Sequence, residues 1–314
     1  MTNKKVIAVI GATGAQGGGL VRAILADPDG GFAVRALTRN PQAEAAQQLA
    51  ALGAEVIAAD IQDEASLAKA FDGAYGAFVV TNYWEHMSPD QEKQDVAGIA
   101  QAAAAAGLAH VVWSTLDDSR EHIPLHDERM PTVLDTYKVP HFDAKAEADA
   151  YFTDAGVPTT FMRTTFYWEN LVGAMKPQRG EDGRLVLALA MGDSELSGIA
   201  AEDIGRTAYG IFKRGRGLIG ETVSIAGEHL TGTQMAEVFS KVLGEEVTYM
   251  PIPFDAFRAQ PFPAAVELGN MFQFYAEVPQ FKEARDVDVV RDLNPHLETF
   301  EQWLTAHKDA FSGA

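Results

Sequence analysis

The first 163 residues alternate between short apolar runs and stretches with the period of an amphipathic helix. Val6–Ile10 is a continuous, largely β-branched run, typical of a strand buried on both faces, and Leu20, Val21, Ile24 and Leu25 follow at helical spacing. Similar patterns predict further strands over 32–38, 56–59, 75–81, 110–115 and 159–163, and helices over 43–52, 65–71, 89–106 and 141–155. This alternation predicts an α/β fold with a parallel, doubly wound sheet and right-handed connections.

The pattern is less regular after residue 164. It predicts short strands over 185–191, 223–226 and 246–252, helices over 200–212 and 235–243, and a helical tail over 262–307. Thr231 and Gln234 form a capping box before one of these helices. We expect a first domain over 1–164, to which 196–229 returns, and a smaller, discontinuous α+β lobe over 165–195 and 230–314. Their shared cleft is the expected ligand site.

A glycine cluster separates the first strand from the first helix. Gly11 permits a tight turn, Gly14 lets the backbone approach a pyrophosphate, and Gly17 lets helix and strand pack closely, while the helix N-terminus offers N–H donors to the anion. A glycine-rich surface turn is the alternative, but the position between a buried strand and a helix favours a Rossmann-type dinucleotide site. The expected contacts are Gly11, Thr13, Gly14, Ala15, Gln16 and Gly17.

The ends of the second and third strands indicate which dinucleotide binds. Arg39 ends the second strand, where a cation pairs with the 2′-phosphate of NADP, and no acid lies within this strand end. The alternative is an arginine that merely caps a loop. Asp60 and Ile61 follow the third strand and are expected near the adenine; the alternative for Asp60 is a loop or helix-capping role, since Asp63 and Glu64 open the next helix. We therefore expect NADP(H).

Polar and aromatic residues crowd the ends of the later strands. Thr81, Asn82 and Tyr83 follow the fourth strand, and Ser114 ends the fifth with Thr115 beside it. Residues 116–139 show no sustained period and predict an irregular flap or loop, whereas the aromatic and polar stretch 164–171 predicts a loop that lines a pocket and enters a helix. The stripe Met271, Phe274 and Tyr275 indicates core packing or a dimer contact.

Composition narrows the functional classes. The 314 residues contain no cysteine and carry a formal net charge of −19, so we expect no disulfide and no general nucleic-acid binding. The basic string Lys213–Arg216 indicates a solvated loop, and the pair His122 and His126 lacks a third ligand, so no metal site is expected. Residues 1–5 show no apolar leader and no run is long enough to span a bilayer, which predicts a soluble cytoplasmic protein.

Several uncommon strings occur in a fixed order along nearly the whole chain. They are GATGAQGG from Gly11, TRNP from Thr38, GAEV from Gly53, TNYWE from Thr81, HFDAK from His141, ENL from Glu169 and NMF from Asn270. In these strings the chain resembles the NmrA-like family of atypical short-chain dehydrogenases/reductases, and within it the redox-sensor members. The resemblance implies an NADP-binding Rossmann domain.

The resemblance also implies roles for individual residues. It places Arg39 on the 2′-phosphate, Lys145 at the nicotinamide ribose, and the segment Thr81, Asn82 and Tyr83 beside the cofactor. The residues that it implies around the nicotinamide are Tyr167, Trp168, Glu169 and Asn170.

The catalytic question concerns the Tyr-x-x-x-Lys pair of active short-chain dehydrogenases. Here His141 stands four residues before Lys145, and Ser114 is a further candidate for orienting a carbonyl. The same His-Phe-Asp-x-Lys string in sensor-like relatives favours a redox sensor with little or no turnover. In that reading NADP(H) occupancy changes oligomeric state or binding of a regulatory partner, and a homodimer is one assembly left open. The alternative is an NADPH-dependent reductase of a quinone, an enone or an imine.

Overall fold

The computed structural model describes residues 4–173, 175–180 and 182–311. The strands of this part are β1 (Lys5–Val9), β2 (Phe32–Thr38), β3 (Glu55–Ala58), β4 (Gly76–Val79), β5 (His110–Thr115), β6 (Thr159–Arg163), β7 (Phe166–Tyr167), β8 (Gln178–Arg179), β9 (Leu185–Leu189), β10 (Glu195–Ile199), β11 (Thr222–Ser224), β12 (Glu228–Thr231) and β13 (Val247–Pro251). The helices are α1 (Ala15–Ala26), α2 (Glu44–Ala51), α3 (Glu64–Phe71), α4 (Pro89–Ala105), α5 (Pro140–Asp154), α6 (Ala201–Arg214), α7 (Gly232–Leu243), α8 (Phe254–Arg258), α9 (Ala265–Glu277), α10 (Pro279–Glu283), α11 (Val287–Leu293) and α12 (Phe300–Ala306).

The central sheet has seven parallel strands in the order β11-β6-β5-β4-β1-β2-β3. Apolar residues of α1, α2, α6 and α11 cover one face, and those of α3, α4 and α5 cover the other. Because helices cover both faces, the strands are largely apolar, and Ile7, Ala8 and Val9 of β1 are fully buried. The predicted doubly wound Rossmann-type fold is confirmed, and both α6 and β11 pack with this sheet.

A second layer of structure covers one end of the central sheet. It contains two three-stranded sheets, β12-β10-β7 and β13-β9-β8, together with α7 to α10 and α12. Its core is dense in aromatic side chains, among them Phe239, Phe272 and Trp303. We call this part the smaller lobe. The expected division of the chain into a first domain over 1–164 and 196–229 and a smaller lobe over 165–195 and 230–314 stays a prediction.

The segment 116–139 is irregular, as predicted, but it is not a free flap. The buried carboxylate of Asp143 on α5 accepts hydrogen bonds from both ends of the segment. One oxygen accepts from the backbone N–H and hydroxyl of Ser119 at 2.9 and 2.5 Å, and the other accepts from the N–H groups of Lys138 and Val139 at 2.8 and 3.1 Å. A single side chain thereby anchors the segment beside the start of α5.

The stretch 164–171 differs from the predicted loop that enters a helix. It forms the short strand β7 and then a single 3₁₀ turn over Trp168–Leu171. None of the helices in the described ranges combines the length and the apolar character needed to cross a bilayer.

Candidate functional site

A cleft of about 1010 Å³ lies at the carboxyl edge of the central sheet, beneath the smaller lobe. The loops after β1 to β5, the start of α5, the segment around β7 and one face of α9 form its walls. It is lined by every predicted coenzyme and catalytic residue except Trp168: Gly11, Thr13, Gly14, Ala15, Gln16, Gly17, Arg39, Asp60, Ile61, Thr81, Asn82, Tyr83, Ser114, His141, Lys145, Tyr167, Glu169 and Asn170. Residues from both lobes therefore meet in one cavity, at the edge where open α/β sheets bind ligands.

The glycine loop turns the chain from β1 into α1. Gly11 has φ +68°, a conformation that side chains other than glycine rarely adopt, and a Cβ on Gly17 would lie 2.3 Å from the Gly11 carbonyl oxygen. Gly14 is the N-cap of α1 without a side-chain capping bond, and the first turn of α1 holds no acidic residue. The first N–H groups of the helix therefore face the cleft without a competing local anion.

Arg39 is paired with Glu85 in this structure. Its two terminal nitrogens donate to the two carboxylate oxygens at 3.1 and 3.0 Å, and Asn82 donates to the same carboxylate at 3.3 Å. The hydrogen bonds from Arg39 lower the pKa of Glu85, so this carboxyl group is ionised at neutral pH. The expectation of no competing acid at Arg39 needs correction, because Glu85 reaches it from the turn after β4, 46 residues along the chain.

Asp60 takes the loop role among its predicted alternatives and not the capping role, because Asp63 is the N-cap of α3; its place near an adenine stays a prediction. Its side chain lies in the cleft lining, and its carboxylate also accepts a hydrogen bond from the backbone N–H of Gln62 at 3.1 Å. The group therefore shapes the loop before α3 while it faces the cleft.

Lys145 is held by a buried ion pair. Its ammonium donates to the carbonyl and hydroxyl oxygens of Thr81 at 3.1 and 2.6 Å and to Glu92 at 2.6 Å. Glu92 is fully buried, and among the described residues its second oxygen has no hydrogen-bond partner, with Nε2 of His86 3.5 Å away. Sequence reasoning missed Glu92, although its spacing with Val96 and Ile99 places it on the apolar face of α4, where a carboxylate needs a partner.

Ser114 belongs to a chain of polar groups that crosses the floor of the cleft. Its hydroxyl donates to the Gln16 side-chain oxygen at 2.7 Å, and the Gln16 amide nitrogen donates to the Tyr167 phenol oxygen at 2.5 Å. Desolvation raises the pKa of the Tyr167 phenol above its ordinary value. The Ser114 hydroxyl donates its proton to Gln16 of the glycine loop, and Gln16 in turn donates to Tyr167. In this arrangement the chain of hydrogen bonds therefore links Ser114 and the glycine loop to the smaller lobe.

His141 is oriented by a carboxylate that lies 126 residues away. Glu267 of α9 accepts from Nδ1 of His141 at 2.6 Å and from its backbone N–H at 2.8 Å. A carboxylate only accepts, so Nδ1 carries the proton and Nε2 presents its lone pair. In the described chain Nε2 has no hydrogen-bond partner, and it is not sealed from solvent. Nothing in the sequence pattern of α9 singled out Glu267.

The cleft becomes apolar around His141. The Trp84 ring lies with its centroid 4.8 Å from that of the imidazole. We call this part of the cavity the substrate end, and it is lined by Trp84, Phe142, Met175, Leu268, Met271 and Tyr275. All three residues of the predicted stripe on α9 pack in the core of the smaller lobe, and Met271 and Tyr275 also line the cleft.

Trp168 lies outside the cleft, contrary to the role that the resemblance implied. Its ring packs with centroids 5.4 Å from Phe300 and 6.0 Å from Trp303, in the core of the smaller lobe. The 3₁₀ turn that begins at Trp168 directs the large ring into this apolar core, where its burial is most favourable. Glu169 lines the cleft, but its carboxylate accepts from the Ala201 N–H at 3.0 and 3.1 Å and so caps α6.

No metal centre is found among the described residues. Within those ranges no group of three or more His, Cys, Asp or Glu side chains is placed to hold an ion.

The sequence profile of the NmrA-like family matches residues 3–304 of this chain. In an alignment 340 positions long, the chain is 26% identical to the NmrA-like family domain-containing oxidoreductase ptmS of Penicillium ochrochloron, covering 96% of this chain and 97% of that protein. It is 30% identical over 267 residues to the NmrA-like family domain-containing oxidoreductase malD of Malbranchea aurantiaca, covering 79% and 76% respectively.

Solved structures show the same fold. NmrA, a negative transcriptional regulator, in complex with NADP superposes with a TM-score of 0.80 at 24% identity, over 99% of this chain and 98% of that one. Its complex with NAD gives a TM-score of 0.79 at 24% identity, over 96% and 94%. Triphenylmethane reductase of Citrobacter sp., complexed with NADP(H), gives a TM-score of 0.74 at 20% identity, over 96% and 99%.

Proposed function

The chain belongs to the NmrA-like family, and on that premise we propose that it is an NADP(H)-dependent reductase of an apolar, electron-poor acceptor such as a quinone, an enone or an imine. The observation that carries this proposal is one continuous cavity. It runs from the glycine loop to an aromatic chamber that contains an oriented histidine. A pure coenzyme-binding site needs no such chamber.

The coenzyme end of the cleft, from the glycine loop to Arg39, suits a nicotinamide dinucleotide. Gly14 and the first turn of α1 would hold the pyrophosphate, and Arg39 would hold the 2′-phosphate of NADP. Lys145 would reach the nicotinamide ribose from beside Thr81. The NmrA neighbour has been solved with NADP and with NAD, so the preference for NADP(H) in this chain rests on Arg39.

The substrate end supplies protonation and excludes water. A bound reduced nicotinamide supplies hydride to an electrophilic carbon of the acceptor. His141 takes up a proton from solvent at Nε2 and donates it from there to the oxygen or nitrogen that gains the electron pair, while Glu267 stabilises the imidazolium at Nδ1. The apolar walls of the substrate end bind ring-containing acceptors and keep bulk water from the reacting carbon.

An NADPH-oxidation screen tests this function. We expect turnover with a quinone, an enone or an imine, and none with simple secondary alcohols and NADP⁺, because the usual tyrosine is absent at position 141. His141→Ala should lower enone or imine turnover at least tenfold while quinone reduction, which water can complete, changes little. Retained NADPH binding without turnover on any acceptor would remove the reductase proposal.

A redox-sensor role is the second candidate, and the Arg39–Glu85 pair favours it. Glu85 and Trp84 belong to one 3₁₀ turn, so a ligand at Arg39 acts on the turn that also walls the substrate end. Trp84 is the one exposed tryptophan of the described chain, which makes acrylamide quenching of its fluorescence a direct reporter. The sensor role predicts changed quenching with NADP⁺ and altered hydrogen exchange in 116–139 and 164–175. Unchanged signals in both would remove it.

A further inference from the structure

We propose that Glu85 is a coenzyme-selectivity residue, which occupies Arg39 until the 2′-phosphate of NADP(H) displaces it. The inference rests on the proposed coenzyme site. It assigns a role to Glu85, which is not one of the residues proposed to hold the coenzyme. The relevant geometry is the two-pronged hydrogen bond of Arg39 to both Glu85 oxygens, at 3.1 and 3.0 Å.

The carboxylate and a phosphate compete for the same donors. In the described part of the chain, the Arg39 guanidinium makes no side-chain hydrogen bond or ion pair other than that with Glu85. Both side chains line the cleft. Glu85 holds both terminal nitrogens of Arg39, so a phosphate that takes the same two donors must replace it, and a carboxylate left beside a phosphate dianion repels it. Binding of a 2′-phosphate to these two nitrogens therefore requires Glu85 to leave them.

The cost of displacement falls on NADP(H) alone. NAD(H) lacks the 2′-phosphate and leaves the pair intact. The side chains of Arg39 and Glu85 are 69% and 49% exposed, and solvent weakens such pairs, so we expect an effect of about threefold to tenfold on affinity. Glu85 thus lowers the ratio of NADP(H) affinity to NAD(H) affinity that Arg39 raises.

Titration calorimetry with NADP⁺ and NAD⁺, which differ by that phosphate alone, tests the proposal. We expect Glu85→Gln to bind NADP⁺ about threefold to tenfold more tightly than wild type and to bind NAD⁺ within twofold of wild type. The matched control is Glu245→Gln, which removes an equally exposed carboxylate paired with Arg179 in the smaller lobe. It should change neither affinity.

An Arg39→Ala background separates competition for Arg39 from simple repulsion. There, Glu85→Gln should no longer favour NADP⁺, because the two anions have no shared cation to compete for. An unchanged NADP⁺/NAD⁺ ratio in the single Glu85→Gln variant overturns the proposal, as does a gain that persists without Arg39. Either result leaves the reductase proposal intact, whereas failure of both coenzymes to bind wild type would remove both.

Discussion

The coenzyme end and the substrate end of the cleft are built in different ways. At the coenzyme end, the glycine loop and Arg39 lie directly after β1 and β2, and the glycines of the loop offer only backbone to a ligand. At the substrate end and where it joins the coenzyme end, His141 pairs with Glu267, and Lys145 pairs with Glu92 across 53 residues. The first end follows from local sequence, and the second exists only after distant elements pack.

This difference predicts how each end responds to substitution. A change at the coenzyme end acts on a ligand that is held by exposed or backbone groups, so affinity changes while the fold persists. A change at the substrate end breaks a buried charge pair, so stability falls with function. The four predictions below run from the largest expected effect to the smallest.

Gly14→Val should reduce dinucleotide binding below detection while the fold stays intact. Gly14 has φ −88° and ψ 178°, which valine adopts, but the added side chain would fill the space above the turn where a pyrophosphate lies. Calorimetry measures binding, and circular dichroism reports the fold. Gly98→Ala on α4, where an added Cβ meets nothing within 4 Å, is the matched control. Retained binding in Gly14→Val would mean that the loop is only a turn.

Lys145→Ala should lower the free energy of unfolding by about 3–5 kcal/mol, because it leaves the fully buried Glu92 carboxylate without its cation. Coenzyme binding and any turnover should fall with it. Urea denaturation measures the first effect, and adding Glu92→Gln should recover part of the loss. Lys69→Ala on α3 is the control, with an expected change within about 0.5 kcal/mol. A Lys145→Ala protein of wild-type stability would contradict the contrast between the two ends.

Arg39→Ala should weaken NADP⁺ binding by about 1–2.5 kcal/mol and leave NAD⁺ binding and stability nearly unchanged. The lower bound allows for the Arg39–Glu85 ion pair, which must break when Arg39 binds the 2′-phosphate. Breaking this pair reduces the net free energy that the charge-assisted hydrogen bond to the phosphate contributes. Titration with both coenzymes measures the difference, and Arg179→Ala is the control at a comparable exposed pair. Equal affinity of the wild type for NADP⁺ and NAD⁺ would sink the assignment of Arg39.

Asp149→Asn should stabilise the protein by roughly 1 kcal/mol at neutral pH. Asp149 lies behind Thr115, and desolvation raises its pKa from 3.8 to about 6. A raised carboxyl pKa means that ionisation opposes folding, so the penalty is absent below pH 3.8 and complete above pH 6. The gain should therefore appear in urea denaturation at pH 7.5 and vanish at pH 4. If Asp149→Asn raises the free energy of unfolding equally at both pH values, the increase comes from packing and not from the ionisation of Asp149.

The sequence by itself determined the sheet, the position of the cleft and the coenzyme end. Buried strands in a parallel sheet are apolar throughout, and the glycines, with Arg39 and Asp60, occur where those strands end. Residues that follow neighbouring strands must meet at one edge, so their proximity needs no knowledge of side-chain packing.

Tertiary structure alone decided the partners at the other positions. Separate elements must dock before Glu85 can pair with Arg39, before Glu267 can pair with His141 and before Trp168 can be buried. Hydrophobic periodicity predicts which face of an element is buried, but it does not predict which residue of another element packs against that face. Glu92 is the intermediate case. Its helical period marked it as buried, and only the packing of α4 against α5 supplied Lys145 as its cation, because an ionised carboxylate in an apolar interior requires an opposite charge from wherever the fold can bring one.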